Sequence, residues 1–178
     1  MKTYIFLIAI LAANACNSTK GTKEVSEVNS EEKMEMIKDN CPEAGDCTLK
    51  VMKNKNMILK EDTTGMLYPV FEDGENMVVE FTYSEKGPEG TADGNYSETI
   101  HFEVPNSAES LKLANSSLQT VSLLYGKQCF CRGEAGFYKV KKGSFSLSKT
   151  GKQLNFEVNF KIDETSQKVT SIKRTVSL

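Results

Sequence analysis

The feature that most constrains this chain is a strict two-residue alternation near its C-terminal end. Leu154, Phe156, Val158, Phe160 and Ile162 take every second place, with Asn155, Glu157, Asn159 and Lys161 between them. Successive side chains of an extended strand point to opposite faces, so this segment has one dry face and one wet face, as antiparallel sheets do. A second run repeats the period. Tyr96, Ile100, Phe102 and Val104 point inward, Ser97, Thr99, His101 and Glu103 outward, and Glu98 interrupts the inward set.

Shorter strands are expected over 48–53, 57–60, 67–71, 77–84, 118–125, 128–131, 137–141, 144–148 and 169–176. Asp73-Gly74 and Thr150-Gly151 are the two strongest hairpin turns. Pro69 argues for an edge or a bulge in its segment. Residues 30–39 suit a short helix, with Met34 and Ile37 on one face. Asn106 and Glu109 match a helix cap and its reciprocal acid, so 107–114 reads as a helical turn or two. The expected fold class is all-β: an antiparallel β-sandwich or barrel of about nine or ten strands with one or two short helices.

Export is written at the other end. Lys2 precedes an apolar run over 4–13, which is too short to span a bilayer, since a membrane helix needs about 20 residues. A short apolar run followed by small residues is a cleavable signal. Ala13-Asn14-Ala15 fits ordinary signal peptidase, while Ala15-Cys16 resembles a bacterial lipobox, whose cysteine becomes the lipidated first residue. Parity favours the second. Five cysteines leave one over, and lipid on Cys16 leaves two pairs. The chain thus resembles bacterial lipoproteins. Its Lys-heavy, Arg-poor and Asn-rich usage and its Cys-Phe-Cys-Arg-Gly stretch resemble those of flavobacteria and their relatives. The resemblance implies anchoring in the outer membrane or periplasm through lipid on Cys16, and no particular activity.

The expected organisation is a signal peptide over 1–15, a lipidated cysteine and polar tether with a short helix over 16–40, and a β-domain over 41–178. The formal charge is −2 and becomes −3 once Lys2 leaves with the signal, and lysines are dispersed, so nucleic acid is not an expected partner.

Cys41, Cys47, Cys129 and Cys131 are read as disulfides, because exported thiols pair and the spacing lacks C-x2-C zinc knuckles. Cross-links from Cys41 and Cys47 to Cys129 and Cys131 are the preferred pattern, because joining Cys129 to Cys131 closes a small ring. A redox-active C-x-C is the alternative. No metal or cofactor is expected.

The lone histidine, His101, is expected on the wet face beside an acid, with no nucleophile fixed near it. Paired carboxylates (Glu72 with Asp73, Glu85 with Glu89, Asp93 with Glu98) are read mainly as solvated turn residues. The Gly-rich loop over 85–95 is the best candidate contact surface, and Asp93, Asn95, Tyr96 and Arg132 are the candidate binding residues. Arg132 has Glu134 as its expected neighbour. The preferred function is a non-enzymatic, lipid-anchored envelope domain that binds or scaffolds an envelope protein or glycan. A small-ligand or glycan-binding barrel and a carboxylate-dependent hydrolase are the alternatives.

Overall fold

The computed structural model describes residues 32–91 and 93–178. The signal peptide, Cys16 and most of the tether lie outside the described residues. The fold is an all-β sandwich of two antiparallel sheets. The strands are β1 (Glu32–Ile37), β2 (Asp46–Glu61), β3 (Leu67–Glu85), β4 (Tyr96–Pro105), β5 (Ser110–Ala114), β6 (Leu124–Gln128), β7 (Gly136–Lys139), β8 (Lys142–Thr150), β9 (Gln153–Lys161) and β10 (Ser171–Ser177). A 3-10 helix, Asn115–Val121, follows β5. The larger sheet runs β1-β2-β3-β4-β6-β7 and the smaller β10-β9-β8-β5.

The alternating runs do what their period requires. Phe102 of β4 packs edge-on against Phe145 of β8 and Phe156 of β9, with ring centres 4.9 and 5.1 Å apart. These contacts join the inner faces of both sheets, and the core is filled by such side chains. The hairpin about Gly151 forms as expected, with Gly151 in the left-handed region at φ 58°.

Four local expectations are corrected. The segment read as a helix over 30–39 contains β1, whose partner is β2, with Ile37 opposite Cys47. Pairing to an existing sheet overrides the weak helical spacing of Met34 and Ile37. Ser110–Ala114 is likewise a strand on the β8 edge, while 3-10 structure occupies the start of the expected strand over 118–125. Asp73-Gly74 makes no hairpin. It lies inside β3, where β2 shifts register between Lys53 and Lys55. A Cβ on Gly74 would sit 2.1 Å from the Asn56 side chain, so the glycine admits a close approach within a bent strand pair. The true turn is at 62–66, where Asp62 Oδ1 accepts the backbone N–H of Thr64 and Met66 at 2.8 and 2.9 Å.

That bend sets the position of His101. The outer half of the β2–β3 hairpin folds back over the outer face of the large sheet. Met57, Leu59 and Phe71 then form a second apolar cluster with Met52, Val78, Leu124 and Phe137. His101 is on the outer face as its parity requires, yet it is only 3 % exposed, because the hairpin covers it. It lies between Phe71 and Phe137, with ring centres 5.5 and 6.3 Å away, and its Nε2 meets Glu80 Oε2 at 2.9 Å. The expectation of a surface histidine is therefore corrected. The bond to His101 lowers the Glu80 carboxyl pKa against the opposing effect of burial.

Candidate functional site

One end of the sandwich is built differently from the rest. Across the large sheet, Cys47, Tyr83, Glu98, Lys127 and Gly136 stand opposite one another in a single inward-facing row. The next inward row, Leu49, Phe81, Ile100, Tyr125 and Tyr138, is apolar apart from its phenols. The polar row is nonetheless buried, with Glu98 0 % and Lys127 3 % exposed. A buried charge persists only when its hydrogen bonds are satisfied.

Glu98 takes its partners from the connection between β9 and β10. Its carboxylate accepts the backbone N–H of Lys168 at 2.6 Å and of Val169 at 2.8 Å, and the Tyr96 hydroxyl as well. Lys127 donates to Glu134 Oε2 at 2.5 Å, to Ser166 Oγ at 2.8 Å and to Ser166 O at 3.0 Å. Thr165 adds a further contact to Lys127 at 3.2 Å. Two buried ions thus fasten two loops, one after β6 and one after β9, over the end of the core. Lys127, and after it Ser166 and Thr165, hold the Glu134 carboxyl down to about 2.

The tyrosines of this end belong to the same network. The Tyr96 ring lies 4.5 Å from Lys168 Nζ and 5.7 Å from Lys127 Nζ, a cation–π arrangement. Lys168 also bonds both oxygens of Glu85, at 2.5 and 2.7 Å, and the Tyr83 hydroxyl donates to Glu85. Lys168 and then Tyr83 lower the Glu85 carboxyl pKa. Burial, with the neighbouring carboxylates, pushes the Tyr83 and Tyr96 hydroxyls well above the usual phenol range.

Two of the four candidate binding residues share a groove here. Asn95 and Tyr96 line an open groove of about 380 Å³ together with Asp46, Ser97, Lys86 and Gln128. Asn95 also closes the base of its loop, its Oδ1 accepting the Gly87 N–H at 3.0 Å. Asp93 is exposed on the same loop and does not line the groove. Arg132 is exposed on the neighbouring loop. Its expected pairing with Glu134 is absent, because Lys127, Thr165 and Ser166 claim that carboxylate. Glu72 and Asp73 pair with Lys60 and Lys55 on the folded-back hairpin.

The cysteine pairing is also corrected. Cys41 joins Cys47 with Cα atoms 5.8 Å apart, and Cys129 joins Cys131 with Cα atoms 5.2 Å apart. The preferred cross-links fail on distance. β2 and β6 are three strands apart, about 14 Å at the usual ~4.8 Å spacing, whereas a disulfide needs Cα atoms within about 7 Å. Among the described residues no group of three or more His, Cys, Asp or Glu is placed to hold a metal ion. Nor is any helix among them long and apolar enough to cross a membrane.

Reasoning from sequence missed Lys127, Thr165, Ser166 and Lys168, and gave Glu134 to Arg132. The one available signal was parity. Lys127 shares the inward phase of Leu123 and Tyr125, as Glu98 shares that of Ile100 and Phe102. Two charges on a dry face require each other or a loop to satisfy them. The site therefore belongs to an all-β sandwich with a polar, loop-capped end. No family model, no curated protein and no solved structure matches the chain.

Proposed function

We propose that the chain is a lipid-anchored cell-envelope domain that binds an envelope protein, without catalysis, at the polar end of its sandwich. The observation that carries this is the placement of that end relative to the tether. β1 begins at Glu32, which stands opposite Met52, whereas the groove residue Asp46 lies six positions away along β2. At ~3.3 Å per residue that is about 20 Å, the length of β1. A chain held through Cys16 and the segment before Glu32 is tethered at one end and presents the groove at the other. A larger groove, about 460 Å³ and lined by Asn54, Asn106, Lys149 and Lys152, opens at the end where β1 begins.

A protein partner suits the groove better than a glycan. Sugar recognition stacks a ring on an aromatic face, and the face of Tyr96 is already taken by Lys168 and Lys127. What the groove offers is hydrogen-bonding chemistry: Asp46, Asn95, Ser97, Lys86 and Gln128. The hydrolase alternative draws no support from Glu85 and Glu98, whose carboxylates are engaged by Lys168, Tyr83, Tyr96 and backbone amides.

A photo-crosslinking side chain placed at Ser97 or at Lys152 in the intact cell tests the orientation. Ser97 should capture protein and Lys152 should not. Intact-mass analysis of the mature chain should find acyl groups on Cys16. Unprocessed chain in the cytosol, or equal capture from both positions, contradicts the reading.

A further inference from the structure

The two cysteine pairs are placed for different work. Cys47 is wholly buried in the main core, in the same row as Tyr83 and Glu98. Its partner Cys41 packs against that core, and a turn bond from Gly45 N–H to Pro42 O at 3.3 Å closes the loop between them. Cys129 and Cys131 sit instead on the loop between β6 and β7, half-buried, with Phe130 between them 89 % exposed.

The fold needs little from the second pair. A bond between residues two apart removes little loop entropy. Its loop is already fastened by Lys127 to Glu134 and by the Glu134 N–H to Cys131 O bond at 3.3 Å. The pair follows directly in the chain on Gln128, which lines the groove. Arg132, one residue beyond Cys131, is exposed and makes no ion pair among the described residues.

We propose that Cys129 and Cys131 form a thiol–disulfide exchange site that oxidises the dithiol of an exported polypeptide seated at the polar end. A thiolate of the polypeptide attacks Cys129 Sγ. The Cys129–Cys131 bond breaks, and its electron pair leaves on Cys131 as a thiolate. The second thiol of the polypeptide then attacks the mixed disulfide and releases Cys129. Two electrons and two protons pass from the polypeptide, which gains a disulfide, to the Cys129–Cys131 pair, which becomes a dithiol. The same exchange with a small-molecule disulfide recharges it. The exposed ring of Phe130 gives the incoming chain an apolar contact between the two sulfurs. Only the seating of the polypeptide rests on the groove reading; the exchange itself does not.

The test uses the purified mature chain in glutathione redox buffers, with free thiols trapped by alkylation and mapped by peptide mass. Cys129–Cys131 should open at a reduced-to-oxidised ratio at least about tenfold below that needed for Cys41–Cys47, a gap of ~30 mV or more for a two-electron couple. With Cys131→Ser, oxidised glutathione should remain on Cys129 as a persistent mixed disulfide, whereas the native pair releases it. The oxidised chain should convert one equivalent of a reduced synthetic dithiol peptide, and the Cys129→Ser, Cys131→Ser double variant none. Both pairs opening together, Cys41–Cys47 opening first, or peptide oxidation surviving the double variant overturns the proposal. Because glutathione does not depend on the groove, failure here is distinct from failure of the crosslinking at Ser97.

Discussion

The middle of the sandwich and its polar end are held by different forces. In the middle, Phe102, Phe145 and Phe156 interlock between the sheets, and stability comes from apolar area withdrawn from water. At the end, Glu98 and Lys127 sit in the same dry interior, yet apart from the Tyr96 hydroxyl on β4 their bonds reach out to loops. The contrast teaches what buried charge does in this fold. It adds little to cohesion between the sheets, and it fixes the course of two irregular segments that would otherwise lie free over the core. The groove and the Cys129–Cys131 loop then rest on a positioned base.

The largest effect should come from the middle. Phe102→Ala should cost about 4 kcal/mol, the usual range for emptying an aromatic site in a packed core, read from urea unfolding with signal lost throughout the domain. Glu98→Gln should cost about 2 kcal/mol, because a charged acceptor of two backbone N–H groups is replaced by a neutral amide with one acceptor oxygen. Replacing Cys41 and Cys47 by serine should also cost about 2 kcal/mol, the loop-entropy value for so short a closure. Cross-links spanning more of the chain would have cost about 4 kcal/mol, so thermal or urea unfolding separates the two pairings.

Acid should act at the end through Glu134 and Glu85, and elsewhere through carboxyls such as Glu80. The Glu134 carboxyl is held down to about 2 from 4.5, chiefly by Lys127. Its contribution is complete above pH 4.5 and fades as the pH falls towards 2. Glu85 shifts in the same direction, through Lys168 and then Tyr83. The chain has no tryptophan, so its emission comes from six tyrosines, of which Tyr83, Tyr96, Tyr125 and Tyr138 stand in or beside the two inward rows at this end. That emission should change on acidification before the far-ultraviolet signal of the sheets does. Simultaneous loss would show that one cooperative unit holds both regions.

Much of the middle was legible in the sequence, because period two is the geometry of a strand written directly in residue type. The long alternations of β4 and β9, and the turn at Gly151, needed no partner to be recognised. The sequence was less informative wherever a distant segment decided the outcome. Asp73-Gly74 has turn chemistry, but the pairing of β2 with β3 continues through it, and the pair bends there. His101 has an outward parity, and only the folded hairpin carrying Phe71 buries it. Glu98 was visible as a fault in a pattern, while its reason, the amides of Lys168 and Val169, lies 70 residues further along the chain. Cys129 and Cys131 pair with each other because strand order, which spacing does not encode, places Cys41 and Cys47 three strands away.

Native-state hydrogen exchange on the native chain and on Glu98→Gln tests most directly whether the polar end is held separately from the middle. The account predicts that the amides of Lys168 and Val169 lose more protection in the variant than those of Phe102 and Val158, whose exchange quickens only by the loss in global stability. Equal loss of protection at all four would contradict it, because Glu98 would then support the whole sandwich and not the loop above it.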